Sequence, residues 1–179
     1  DITPPQIIRS NPANNSLNFN KNQVIIEFDE NISVEKAQDN IVISPPQMKA
    51  PDIKSYGKKL TVQFNEELKD TTTYAINFGS AIVDLNERNP LKNYLFSFST
   101  GEQMDTLRVS GTVINAEDLN PVKGILVGIY VENTDSAFLS KPFMRIGRTD
   151  ENGRFSIDNM KKGKYRIYAL GDTNRDYFM

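Results

Sequence analysis

The sequence predicts an all-β protein built as two consecutive β-sandwiches. Three observations predict it. Short runs place an apolar side chain at every second position, the spacing of a strand with one buried face. Turn-forming residues separate these runs. Two blocks of alternation flank a polar stretch, Glu102-Gln103-Met104-Asp105, and a chain of 179 residues fits two small domains. The expected division is residues 1–101, a hinge at 102–106, and residues 107–179.

Taken in order, Asp1-Ile2-Thr3-Pro4-Pro5 is an extended leader, because paired prolines exclude helix. Gln6 to Ser10 reads as a short edge strand, and Asn11 to Asn15 carries turn chemistry. Val24, Ile26 and Phe28 then alternate with Ile25, Glu27 and Asp29. Val34 to Ala37, after Ser33, is long enough for one helical turn only. Ile41 and Ile43 flank Val42 in a strand that Pro45-Pro46 stops. Ile53 to Tyr56 and Lys59 to Phe64 read as a hairpin around Gly57-Lys58, where a leading Gly suits a type II′ turn. Tyr74, Ile76 and Phe78 alternate next, and Tyr74 is placed to bond its hydroxyl to upstream backbone, as in a tyrosine corner. Asp84 to Pro90 is a polar loop. The block closes on Asn93 to Gly101, where Phe96 and Phe98 share one face and Ser97 and Ser99 the other, the pattern of a half-buried strand. About seven short strands over roughly 100 residues predict a Greek-key sandwich of immunoglobulin type.

The second block restarts at Leu107 to Asn115, with Val109, Gly111 and Val113 on one face. Asp118 to Pro121 is a turn. Ile125, Val127, Ile129 and Val131 share a face opposite Leu126, Gly128 and Tyr130. Glu132 to Pro142 is a polar loop. Arg145 to Thr149 and Arg154 to Ile157 flank Asn152-Gly153, and Asn-Gly predicts a type I′ hairpin. Lys164 to Leu170, entered through Gly163, is a further strand, and Lys161 to Lys164 is a solvated tip. The sequence stops at Met179, where one more strand is expected, so the second domain is expected to be cut short.

Composition narrows function by exclusion. His and Cys are both absent, which removes Ser-His-Asp and Cys-His nucleophilic sites, the usual zinc ligands and disulfides. A net charge of −2 gives no basic field for nucleic acid or an acidic membrane. No apolar run approaches the roughly 20 residues that span a bilayer. The sequence opens on Asp1 rather than Met, and a targeting segment is expected upstream.

Candidate chemistry is sparse. Asp172, Asn174 and Asp176 have the spacing that opens a calcium loop, but Tyr177 stands where the sharp turn needs Gly. A plain polar turn is the favoured alternative, and no metal or other cofactor is assigned. Glu27 and Asp29 share a strand face, which suits a carboxylate pair for acid–base work; a solvated outer face is the bland alternative. Glu66-Glu67 is a second acidic pair. Tyr130, Tyr165 and Tyr168 are candidates for a glycan surface, or for covering apolar neighbours. No catalytic constellation emerges, and no enzyme is expected.

Two resemblances add to this reading. Pro5-Gln6-Ile7, Ser10-Asn11-Pro12, Val24 to Phe28, Lys59 to Val62, Leu68 to Tyr74 and Phe96 to Gly101 together resemble a bacterial Ig-like domain of the S-layer-protein type, over residues 3–101. That family often has an Asp and a Gly-Asn turn before its last strand. Asp84-Leu85-Asn86-Glu87-Arg88-Asn89 lacks the Gly, so no ligand role is carried to Asp84. Leu107 to Val113, Thr149 to Phe155 and Gly163 to Tyr165 resemble a carboxypeptidase-regulatory-like domain, a transthyretin-like (prealbumin-like) sandwich, over residues 107–172. The resemblances imply a non-catalytic structural or presentation module of a bacterial cell-envelope protein. They imply an outer-membrane lipoprotein, at the surface or in the periplasm, that spaces a larger downstream region. The membrane is expected only as the seat of an N-terminal anchor, and a monomer is expected. The alternative is an adhesion module that binds a glycan or an envelope protein through loops at the sandwich ends. Asp105-Thr106-Leu107 and Asp135-Ser136-Ala137 also resemble the Asp-Ser/Thr-aliphatic sites that some Gram-negative bacteria O-glycosylate.

Overall fold

The computed structural model describes residues 2–131, 141–172 and 177. The chain divides into two compact units. One is Asp1–Val42 with Gln47–Met104; the other is Ile43–Pro46 with Asp105–Met179.

The first hundred residues form β1 (Ile7–Asn11), β2 (Gln23–Phe28), β3 (Ile32–Val34), α1 (Ala37–Asn40), β4 (Val42–Ser44), β5 (Asp52–Tyr56), β6 (Lys59–Gln63), β7 (Thr73–Asn77), β8 (Ile82–Asp84) and β9 (Leu95–Ser99). An antiparallel sheet runs in the order β1-β2-β6-β5. Its register sets Val24 opposite Val62 and Ile26 opposite Leu60, and all four are fully buried. A one-residue slip would turn this apolar set to solvent, so the pattern itself fixes the register. β5 and β6 make the expected hairpin, with Tyr56 facing Lys59 and Gly57 at φ 56°. Only the first turn residue is left-handed, which is what a type II′ turn requires.

Across from this sheet, β7 pairs with β9, Tyr74 opposite Phe98 and Ile76 opposite Phe96. Aromatic rings join the layers. Phe64, just past β6, meets Phe98 at 5.8 Å and Tyr74 at 6.1 Å, edge on. Tyr74 stacks on Phe98 at 5.3 Å, and Phe19 tilts against Phe98 at 4.5 Å. Burying each ring contributes on the order of 1.5–3 kcal/mol, and these rings with the β2–β6 aliphatics make the core. The Lys69 N–H donates to the Tyr74 hydroxyl at 2.8 Å, so the side chain closes the corner that its position predicted.

The structure changes three expectations in this unit. β9 is buried on both faces, with Ser97 and Ser99 only 3% and 1% exposed. The reason is the segment before β2, which covers them. The Asn15 N–H donates to the Ser97 carbonyl at 2.7 Å, the Phe19 N–H donates to the Ser99 carbonyl at 2.9 Å, and Asn14 Oδ1 accepts from the Ser97 N–H at 2.8 Å. Serine is small enough to be covered and polar enough to read as exposed. Second, β3 and β8 pair with each other, Ser33 opposite Val83, although three residues are too few to show alternation. Third, the helical turn sits at Ala37–Asn40, later than Val34–Ala37, because β3 claims Val34 and Lys36 turns left-handed at φ 46°.

The second unit carries β10 (Leu107–Thr112), β11 (Leu126–Val131), β12 (Arg145–Arg148), β13 (Arg154–Met160) and β14 (Tyr165–Leu170). Two sheets, β10-β13 and β12-β11-β14, face each other. Val127 and Ile129 from one sheet meet Ile157 and Met160 from the other, with Val109, Ile125 and Phe155 packed around them. Asp105 belongs here: Asn159 Nδ2 donates to its carbonyl at 2.7 Å, and the buried Arg145 guanidinium lies 3.9 Å from its carboxylate.

The predicted Asn152-Gly153 hairpin is corrected. β12 pairs with β11 and β13 with β10, so the turn carries the chain between sheets. Gly153 is left-handed at φ 69° but Asn152 is not, so the turn is not type I′. The Asp150 carboxylate decides the geometry. It accepts the Asn152 N–H at 2.8 Å and the Arg154 N–H at 2.9 Å, while the Gly153 N–H donates to the Asp150 carbonyl at 2.9 Å. The Asp150 N–H also donates to the Arg154 carbonyl at 2.9 Å, so the loop is a three-residue connection with Gly at its left-handed position, not the two-residue type I′ turn.

Candidate functional site

A groove of about 1050 Å³ opens at one end of the first unit. Two stretches wall it, residues 18–23 leading into β2 and residues 63–68 with Asp70 leaving β6, and Lys49 and Thr100 complete the lining. The β2–β6 register puts Gln23 opposite Gln63, which brings the two walls together. The Gln23 side-chain amide donates to Gln63 Oε1 at 3.1 Å, and Gln63 Nε2 donates to the Asn22 carbonyl at 3.1 Å. The Phe64 N–H donates to the same carbonyl at 2.8 Å. Asn18 adopts the left-handed region at φ 53°, which Asn tolerates, and its N–H reaches the Gly101 carbonyl at 2.9 Å.

The other wall is pinned as firmly. Glu66 accepts the Met48 N–H at 3.2 Å and the Lys49 N–H at 3.3 Å, one on each carboxylate oxygen. Asn65 Nδ2 donates to the Ala50 carbonyl at 2.8 Å, and the Thr100 hydroxyl donates to the Lys69 carbonyl at 2.7 Å. Phe19 and Phe64 line the groove, yet both rings are buried in the core, so no exposed aromatic platform lies among its lining residues. Asn20, Lys21, Asn22 and Glu67 are exposed.

Apart from the Glu66-Glu67 pair, which lines the groove, the residues singled out from the sequence fall elsewhere and serve structure. Glu27 is bridged by Arg9 Nε at 2.6 Å and Lys59 Nζ at 3.1 Å. The Arg9 hydrogen bond, then that of Lys59, holds its carboxyl below the ordinary value. A general acid needs the opposite shift. Asp29 accepts the Gln6 N–H at 2.8 Å and ties the leader to the sheet. Glu66 belongs to the groove wall, with Glu67 exposed beside it.

Asp84 is 1% exposed at the end of β8. Its Oδ1 accepts the N–H groups of Asn86, Glu87 and Arg88 at 3.0, 2.6 and 3.1 Å, and its Oδ2 accepts that of Asn89 at 2.7 Å. Burial pushes its pKa up, but the hydrogen bonds from Glu87, Asn89 and Arg88 outweigh that and hold it below the ordinary value. The carboxylate thus organises the loop before β9.

Tyr130, Tyr165 and Tyr168 form no open platform. Tyr130 is 5% exposed and its hydroxyl donates to the Lys141 carbonyl at 2.8 Å. Tyr168 meets it edge on at 5.9 Å, and the Tyr165 hydroxyl donates to the Lys161 carbonyl at 2.8 Å. Of the calcium candidates, Asn174 and Asp176 lie outside the described residues; Asp172 Oδ2 accepts the Tyr177 N–H at 3.3 Å. Thr106 is exposed, whereas Asp135-Ser136-Ala137 lies outside the described residues. The groove was missed in the sequence. Its signal was the density of side-chain amides in Asn18 to Gln23 and Gln63 to Asn65.

Comparison with solved structures gives distant likenesses. An L,D-transpeptidase from Mycobacterium smegmatis is 13% identical, covering 98% of this chain and 85% of that one, at a TM-score of 0.37. The N-terminal part of the bacterial S-layer protein SbsC is 13% identical over 94% of this chain and 40% of that one, at 0.35. BcpA, the major pilin subunit of Bacillus cereus, is 15% identical over 92% and 58%, at 0.29. At these TM-scores the likenesses carry no inference about activity. No curated protein matches the sequence. The family model described as a bacterial Ig-like domain matches residues 1–100, and the chain belongs to that family.

Proposed function

We propose that the chain is a non-catalytic structural module of a bacterial cell-envelope protein, spacing or presenting the rest of that protein. Membership of the bacterial Ig-like family over residues 1–100 is the observation that carries this reading. The carboxylates support it. Glu27, Asp84 and Glu66 are engaged in ion pairs or by backbone N–H groups, and none is held as a free acid or base. The second unit is read as a carboxypeptidase-regulatory-like module of the same kind, supported by its two facing sheets. Attachment is by a lipid anchor at the outer membrane.

A domain exchange tests the role. The whole protein, with this stretch replaced by an unrelated pair of β-sandwiches of equal length, should keep its surface display and activity. Loss of activity with display intact would overturn the spacer reading. Metabolic labelling with palmitate tests the anchor, and an unlabelled protein would remove it.

A further inference from the structure

We propose that the groove at the end of the first unit binds a neutral oligosaccharide, a role beyond spacing. The chemistry of its free groups points to that class. Each side-chain amide offers a donor and an acceptor in one plane, a match for neighbouring sugar hydroxyls. Asn20 and Asn22 present two such amides, and Glu67 adds a carboxylate that accepts from hydroxyls.

Charge selects against other ligands. Lys21 and Lys49 stand against Glu66, Glu67 and Asp70 around one opening, so the groove offers neither a basic field for a polyanion nor a strongly acidic one for a polycation. Position argues against an extended peptide. The groove lies where β2 begins and β6 ends, and both are inner strands of the β1-β2-β6-β5 sheet, so no free edge is there to accept an added strand.

The site is also built beforehand. Bonds from Gln63, Glu66, Asn65 and Thr100 fix the walls, so binding need order only the exposed rim. With the rings of Phe19 and Phe64 buried, stacking contributes nothing, and a single site binds weakly. Useful affinity then comes from repeated copies on a surface.

The test is a titration of the ¹⁵N-labelled full chain followed by side-chain and backbone amide NMR. The probes are cellohexaose, laminarihexaose, mannohexaose and chitohexaose, with a heparin hexasaccharide as the charged control. Saturable shifts of the Asn20 and Asn22 side-chain amides, and of the Lys21 and Asn65 backbone amides beside them, are expected at millimolar concentrations of a neutral probe; the Lys21 and Asn65 shifts should be lost in the Asn20→Ala/Asn22→Ala variant, its backbone spectrum otherwise intact. No shift with any neutral probe, shifts with heparin alone, or shifts that survive in the variant would each overturn the proposal. The domain exchange reads a different property, so the two ideas stand or fall separately.

Discussion

The two units of the chain are held together by opposite devices. The first fills its interior with large rings: Phe98 touches Phe19, Phe64, Tyr74 and Phe96 within 6.4 Å. The second has a smaller, mainly aliphatic core, and it brings strands close by leaving side chains out. A Cβ on Gly147 would overlap the Ser156 carbonyl oxygen, and one on Gly128 would overlap the Phe143 ring. The first unit is therefore sensitive to removing atoms and the second to adding them. Packing density is the common principle, because an interior near crystal density tolerates neither voids nor overlaps.

Phe98→Ala should give the largest effect. The ring is 0% exposed and stands at the hub of the aromatic cluster. Its loss should cost about 3–5 kcal/mol, from lost burial and the cavity left behind. Urea denaturation would read the loss, and hydrogen exchange should localise it to β7 and β9. A loss below about 1 kcal/mol, within what a volume-conserving swap costs, would mean that the cluster collapses to refill the space.

Gly147→Ala comes next, at about 1–3 kcal/mol, because overpacking against backbone leaves little room to relax. Its exchange signature should appear in β12 and β13. Gly171→Ala sharpens the comparison. Among the described residues, its chain neighbours aside, no atom lies within 4 Å of its added Cβ, and it should be neutral to within about 0.5 kcal/mol. Equal destabilisation by both substitutions would show that overlap with the Ser156 carbonyl does not set the sensitivity, since the chain freedom lost from the unfolded state on Gly→Ala favours folding.

These contrasts also mark what the sequence could reveal. Val24, Ile26, Leu60, Val62, Tyr74, Ile76, Phe96 and Phe98 announced their strands, because alternation is a local property that burial enforces. Ser97 and Ser99 misled, since their cover comes from Asn14 to Phe19, 83 residues away in the case of Asn14 and Ser97. Asn152-Gly153 misled for a related reason: a dipeptide encodes a turn and cannot encode which sheet each flanking strand joins. The groove was legible only as an amide-rich composition. Its assembly depends on the β2–β6 register, a long-range fact. Asp84 looked like a motif remnant, and its four N–H partners became visible only with the loop folded around it.

Asp84→Asn should have a smaller and pH-dependent effect. The folded carboxyl has a depressed pKa, so its contribution is complete above the ordinary carboxylate value, about 3.9. It is lost as pH falls through the lower folded value. The wild-type first unit should therefore lose stability steeply at acid pH. The Asn variant should start less stable at neutral pH and show a flatter acid limb. Denaturation midpoints measured from neutral to acid pH would check this, and parallel acid limbs would assign the acid sensitivity to another group.

The smallest effect should come from Glu27→Gln, which sharpens the distinction between a carboxylate held by backbone and one held by flexible cations. Glu27 also has a lowered pKa, so the same sign applies: its contribution is present above the ordinary value and fades as pH falls through the folded one. Its partners differ, however. The Arg9 and Lys59 side chains are 72% and 60% exposed, free to pair with water and salt instead. Asp84 is itself buried and meets the fixed backbone N–H groups of its own loop, which salt does not displace. Neutral-pH denaturation should thus show no resolvable change for Glu27→Gln, and the acid limb should match wild type. Added salt should erase any residual difference, since exposed charges are screened over about 8–10 Å at physiological strength. A loss that persists in high salt would show that the Arg9–Glu27–Lys59 ladder pins edge strand β1 to the sheet, and hydrogen exchange across Ile7–Asn11 would then rise with it.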